Sequence, residues 1–371
     1  MENNVKIIYS NKNIIKNKHN SDSRNFENDC NQYIKAFFIC LFKIKNIKSN
    51  FPKRKPSKND ITYLIYNFLE NEEIKDELIK IIEKKIFEIN SKIMNNLNFE
   101  ILIDYLLDKL HEELNDKIIK NLVFQKDGYN AQSIYNDFKK NYFSQNESFI
   151  QKTFYGIKEI STLYDCCKLT TYNYGIIKYI TFDSEALNKQ NNLQQLLFEW
   201  EQPKILVNNL CKMCNKYSET LEQTLIYDSA EILIIIINNN KSNIEIDLKS
   251  NIKTQKYEYM FLCGIFEDKN MNNINVYNVI YQEESKNFFI INKDNNSKEI
   301  NDNELNDLLL YPCVLFYKKE KQIIINDIKN DLEYSNNKFT SHIFTESNYL
   351  KESFNFMKNS NMFLTNNLKG E

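Results

Sequence analysis

One change of rhythm constrains this chain more than anything else in it. From Ile61 to Leu114 the apolar residues stand three or four apart: Ile61, Leu64, Ile65 and Phe68, then Leu78, Ile81, Ile82 and Ile86, then Leu102, Leu106, Leu110 and Leu114. With charges between them, these are the faces of amphipathic helices packed on a core. After about residue 150 the apolar residues alternate or run in β-branched blocks. Such blocks cover Tyr172 to Phe182, Glu231 to Ile237, Ile244 to Leu248, Tyr257 to Ile265, Val276 to Tyr281, Phe288 to Ile291 and Cys313 to Tyr317. Helices first and strands after predict an α+β fold.

The 371 residues are 42% hydrophobic and 13% aromatic, enough to bury a large core. Gly (5) and Pro (4) are so scarce that Asn, Asp and Ser must mark the turns, and turns are hard to place. Tyr33 to Phe42 is almost wholly apolar and predicts a buried helix. Ile232 to Ile237, bounded by Asn238, Asn239 and Asn240, predicts a buried strand. No apolar run reaches the roughly 18 residues of a membrane span. A net charge of −2 supplies no basic field for nucleic acid or membrane. The basic run Lys43 to Lys58 reads as a solvated loop. Residues 1–22 read as a polar lead-in and 319–371 as a polar tail with weak helical signals. Eight cysteines without a secretory leader predict reduced thiols or metal ligands, in the cytoplasm or nucleus.

Phe99 to Asn115, FEILIDYLLDKLHEELN, carries a resemblance. It is similar to a helix of the ubiquitin-specific proteases, cysteine proteases that remove ubiquitin, and further signposts follow in that family's order. Ser148-Phe149-Ile150 with Phe154-Tyr155-Gly156 resembles the opening of the finger region. Cys166-Cys167 and Cys211-Lys212-Met213-Cys214 fall where two zinc pairs belong. Glu231 to Ile235, Ile246-Asp247-Leu248, Tyr257 to Tyr259 with Gly264-Ile265, and Tyr311 to Tyr317 resemble the strands that follow. The resemblance implies a papain-like cysteine protease fold over residues 23–318, with a helical thumb (about 23–145), antiparallel fingers (about 155–235) and a palm (about 236–318). It also implies ubiquitin or a ubiquitinated protein as partner.

Thiol chemistry needs a Cys near a helix start, a His to share its proton and a polar group to orient that His. Asn25 to Cys30 matches the family's cysteine box, with Cys30 as nucleophile and Asn25 as oxyanion donor. Tyr33 to Phe38 matches the same box two residues later, which puts Gln32 at the nucleophile position. Both registers stand, beside the plain reading of Cys30 as a small buried or loop thiol. The family's Gly-His-Tyr falls at Asn275-Val276-Tyr277, so Val276 occupies the base position, and valine accepts no proton. Asn292 falls at the third position, followed by Lys293. The chain has three histidines: His19 ahead of the domain, His111 expected on a helix surface, and His342 in the tail.

The expectation is therefore an inert relative of these enzymes that binds ubiquitin or a partner. The alternatives are an active thiol enzyme using Cys30 with a displaced base such as His342, and a scaffold without ubiquitin binding. Cys211-x-x-Cys214 is a sound zinc knuckle, but adjacent Cys166 and Cys167 break the usual spacing. The spacing predicts a lapsed site with no cofactor, its thiols packed as small apolar groups, over one structural zinc in the fingers.

Overall fold

The computed structural model describes residues 23–44, 47, 60–63, 66, 79–80, 84, 99–115, 130–183, 186, 192–211, 213–238, 246–268, 275–292, 296–301, 304–305 and 310–323, with side chains from residue 32 onward. The 1–22 lead-in, most of the Lys43–Lys58 run, the helical positions 64–65, 68, 78, 81–82 and 86, and the chain from 324 on lie outside the described residues. So do His19, Lys293 and His342.

The helices are α1 (Ser23–Lys43), α2 (Phe99–Leu114), α3 (Ala131–Phe143), α4 (Phe149–Phe154) and α5 (Leu193–Trp200). Helix α2 buries Phe99, Leu102, Ile103, Leu106, Leu107 and Leu110, the stripe its spacing predicts. Asn130 caps α3 and Ser148 caps α4, each side-chain oxygen accepting a backbone N–H of the first turn.

The strands form two sheets. Strands β1 (Gly156–Tyr164), β2 (Leu169–Ile177), β4 (Lys204–Leu210) and β5 (Tyr217–Asp228) make a four-stranded antiparallel sheet, ordered β2-β1-β5-β4. The larger sheet takes β3 (Tyr179–Asp183), β6 (Ile232–Asn238), β7 (Ile252–Lys253), β8 (Tyr257–Asp268), β9 (Val276–Gln282), β10 (Asn287–Ile291), β11 (Ser297–Ile300) and β12 (Leu310–Gln322). Its order is β11-β10-β9-β8-β12-β6-β3, with β7 alongside β8. Strand β3 joins β6 in parallel, and the other pairings described are antiparallel. The α+β expectation agrees with this mixture of helices and mainly antiparallel strands.

Strand β6 shows why an unbroken isoleucine run suits this sheet. Ile232, Ile234 and Ile236 enter the core shared with α1, α2 and α4, while Leu233, Ile235 and Ile237 enter a second core shared with α5. Side chains alternate across a strand, so only a strand covered on both faces can be apolar at every position. Lys178, between β2 and β3, fastens the helical layer to the strands: its Nζ lies 2.7 Å from Asp104 and 2.6 Å from Asp108 of α2. Tyr155 OH donates to the same Asp108 oxygen at 2.8 Å.

Two expectations need correction. Ile246 to Leu248 is not strand: the Asp247 carboxylate accepts the backbone N–H groups of Lys249 and Ser250 at 3.0 and 3.3 Å, a side-chain-closed turn that competes with pairing. His111 is not on a helix surface but 6% exposed, inside the helical layer.

Gly156, where β1 begins, has a steric reason. A Cβ there would sit 2.9 Å from Asp228 O, and 3.2 Å from both Ala230 N and Ile177 Cγ2. Two of these neighbours are backbone, which cannot swing aside. Gly156→Ala is expected to cost about 1–3 kcal/mol. Urea unfolding measures it, and a loss below about 0.5 kcal/mol would contradict the packing.

Candidate functional site

The seam between α1 and strands β8 and β9 is where the sequence places a catalytic group. Cys30 is the eighth residue of α1 and Asn25 the third; both side chains lie outside those described. The field of a helix terminus fades within its first turn, so α1 offers a thiol at that depth little activation. Gln32 is half-buried, its Oε1 buried with no hydrogen-bond partner among the described residues.

Val276 is 3% exposed and belongs to the core cluster that holds Tyr33 and Phe37 of α1. Its register partner across β8 is Glu267, whose Oε1 accepts the Tyr33 hydroxyl at 2.6 Å. Two residues along β9, on the same face, Asn278 donates from Nδ2 to Ala36 O at 2.8 Å and to Cys40 Sγ at 3.2 Å. This buried polar peg went unread in the sequence because it interrupts an apolar strand with nothing else to mark it. Asn292 closes the β10–β11 connection, its Oδ1 accepting from Asn296 N at 3.0 Å. Two buried thiols of this core, Cys263 and Cys313, are held well above the usual thiol range by burial, which keeps them protonated and unreactive.

His111 has a structural occupation. Its Nδ1 lies 2.7 Å from Ser148 Oγ and its Nε2 lies 3.0 Å from Asn146 Oδ1. Because Asn146 Oδ1 only accepts, Nε2 carries the proton and Nδ1 accepts the serine hydroxyl. Ser148 Oγ also accepts Gln151 N, and Asn146 Nδ2 donates to Tyr142 O. The set imitates a Ser–His–Asn triad, yet all three side chains are buried and the serine is engaged in capping α4. It joins α2, α3 and α4.

The four-stranded sheet brings the other expected residues together. The β1–β2 and β4–β5 hairpins have their tips side by side, with Tyr164 opposite Thr220 and Leu210 opposite Tyr217. The sulfurs of Cys166, Cys167, Cys211 and Cys214 all lie within 4.8 Å of one another, with Cys167–Cys211 at 3.5 Å and Cys166–Cys214 at 3.2 Å. The expectation of a lapsed site is corrected on its geometric ground: adjacent Cys166 and Cys167 do converge. They sit in a turn closed by Lys168 N to Tyr164 O at 2.8 Å, with Lys168 in the left-handed region at φ 54°. The second turn repeats this, with Asn215 N to Cys211 O at 2.9 Å and Asn215 at φ 52°.

This donor set fits zinc. Zn–S bonds of about 2.3 Å in a tetrahedron put sulfurs about 3.8 Å apart, close to what the hairpin tips present. The backbone N–H of Cys214 points at Cys211 Sγ and, against burial, draws that thiol down to about 6, with help from the N–H of Met213. Four thiolates leave no position for water, so a zinc held here would pin two hairpins and carry no reaction.

No family model matches the sequence, and no curated protein matches it. Solved structures do match in fold. A chain of the SAGA Ubp8/Sgf11/Sus1/Sgf73 DUB module bound to ubiquitin aldehyde is 14% identical with a TM-score of 0.54, over 82% of this chain and 69% of that one. The module with a shortened Sgf11 gives 13% identity and 0.54, over 86% and 72%. The yeast SAGA module with a mutant Sgf73 gives 14% and 0.51, over 81% and 67%. At such identities the likeness is one of fold: this chain has the architecture of a ubiquitin-specific-protease-type domain.

Proposed function

We propose that this chain is a ubiquitin-specific-protease-like protein of the deubiquitination system that binds ubiquitin or a partner protein and does not cleave the isopeptide bond. The helical layer corresponds to the thumb, the four-stranded sheet to the fingers and the eight-stranded sheet to the palm, with β3 contributed to the palm from within the finger sequence. Ubiquitin's extended C-terminal tail would lie between thumb and palm.

The observation that carries this reading is Val276. Where the resembling enzymes hold their proton acceptor, an apolar side chain is buried against α1, and the nearest printed polar contact at that seam is the Tyr33–Glu267 hydrogen bond. Loss of a general base alone costs ~10²–10⁴ in rate. A carboxylate already bonded to a tyrosine, across a strand from a valine, is no substitute for an imidazole that shares a thiol's proton. Two of the fold neighbours supply the partner class: one is bound to ubiquitin aldehyde, and another has its SAGA subunits around it.

The test joins a ubiquitin–propargyl probe with a ubiquitin pull-down, on the full chain and on Cys30→Ala. The expected result is retention on ubiquitin beads with no covalent adduct. An adduct that disappears in Cys30→Ala would restore the enzymatic reading, with His342 as the base to mutate next. Neither adduct nor retention would leave the scaffold reading.

A further inference from the structure

Strand β4 is an edge strand with an unusual surface. It pairs with β5 on one side only, and its sequence KILVNNL is exposed at six of seven positions. Ile205 is 60% exposed and Val207 is 67%; at the far end of the strand Leu210 is 45% and its cross-strand partner Tyr217 is 72%. Ile205 continues a row with Leu221 of β5 and Leu163 of β1, so the apolar surface runs inward from the open edge. Phe198, at the end of α5 just ahead of β4, is 59% exposed. Proteins blunt such edges with charge, proline or a covering helix, and the middle of β4 has neither charge nor proline.

The chain's own continuation is positioned to supply the cover. Strand β12 ends beside the turn into β8, with Ile323 N donating to Lys256 O at 2.8 Å. In that same turn Gln255 N donates to Glu201 Oε2 at 2.6 Å, and Glu201 stands three residues ahead of Lys204, where β4 begins. The chain thus leaves the larger sheet next to the root of β4 and continues to Glu371. Within that continuation three aromatic–aliphatic pairs stand seven residues apart: Tyr349-Leu350, Phe356-Met357 and Phe363-Leu364. Between them lie Lys, Glu, Ser, Thr and Asn with the single apolar additions Phe354 and Met362. A seven-residue repeat of this kind is one apolar stripe along a helix.

Length agrees as well. Residues 349–364 as a helix span ~24 Å, and a seven-residue strand spans ~24 Å. The intervening chain from Ile323 to Tyr349 can reach on the order of 80 Å when extended, so no geometric obstacle separates the exit from any point on β4.

We propose that residues 349–364 form an amphipathic helix that docks, within the same chain, on the exposed apolar surface of β4 and β5. The stripe covers Ile205, Val207, Leu210 and Tyr217, and the docked helix shields the free edge of the four-stranded sheet from other strands.

The test places a photoreactive benzophenone amino acid at Phe356 in the full chain and maps its cross-links, beside hydrogen exchange of peptides 204–217 and 349–364. The expected result is a cross-link within one chain to 204–217, lost on Val207→Asp. Stopping the chain after Lys338 is expected to speed exchange of 204–217 at least tenfold while peptides from β6 and β12 keep their protection. Cross-links between two chains would overturn the intrachain helix in favour of a second copy at this edge. Cross-links that map elsewhere, or exchange of 204–217 unchanged by the truncation, would overturn it outright.

Discussion

Cys211→Ser is expected to release zinc and loosen both hairpin tips of the four-stranded sheet. The wild-type chain, purified without chelator, is expected to carry one zinc. Cys211 is the fully buried member of the four and the thiol most prepared to ionise, because two backbone N–H groups aim at it. Changes to groups merely behind a ligand cost about 10–100-fold in metal affinity, so loss of the sulfur itself should exceed about 100-fold. Zinc binding contributes about 10–16 kcal/mol in small zinc domains, and here it would act on two turns that each hold a non-glycine residue at positive φ. Metal analysis gives the stoichiometry, and hydrogen exchange over 164–169 and 210–217 gives the loosening. A wild-type chain that retains no zinc after refolding with one equivalent would sink this assignment.

The second large effect is a dependence of stability on pH through Glu201. This residue ends α5, is 2% exposed, and joins the two sheets: its carbonyl accepts Gln223 Nε2 of β5, and its Oε2 accepts Gln255 N beside β8. Burial raises its carboxyl to about 7, against the N–H groups of Gln255 and Ile226 and the Lys256 charge, which favour the ionised form. The folded state therefore holds a proton that the unfolded chain gives up near the ordinary glutamate value. Stability from this group is complete below about pH 4.5 and is lost as pH rises through 7. Between pH 5 and pH 8 the loss amounts to about 2–3 kcal/mol. Glu201→Gln removes the titration, so the difference in unfolding free energy between the variant and the parent should shift by that amount, in the variant's favour at pH 8. Urea titrations of both proteins at the two pH values measure it. Parallel behaviour of the two proteins would show that Glu201 does not titrate in this range.

The sequence disclosed those elements whose apolar pattern is imposed from both sides. Strand β6 reads as a buried strand because each of its faces has a core, and α2 reads as a helix because one face does. Strands β1, β4 and β5 went unmarked for the opposite reason. The four-stranded sheet has no helix filling both its faces, so GIKEISTLY and YSETLEQTLIYD mix charge with apolar residues and lose the alternation. Of the candidate site, the ligand identities could be read but not their meeting. Consecutive side chains diverge in regular structure, and only a left-handed residue after Cys166-Cys167 turns both sulfurs inward. His111 was misplaced because a histidine between Leu110 and Glu112 resembles the edge of a stripe, and its partners Asn146 and Ser148 lie more than thirty residues on. Val276 was legible by position, and its burial agrees with an apolar occupant.

Strand β12 is the last strand in the sequence yet lies between β8 and β6, near the middle of the larger sheet. During synthesis, β6 and β8 must therefore wait with unsatisfied edges until the chain has emerged through Gln322. Any product cut short before that point would hold two apolar, hydrogen-bond-hungry strands facing an empty slot. Quality control in the cell would meet such a fragment as an aggregation seed, whereas the finished chain closes the gap from within.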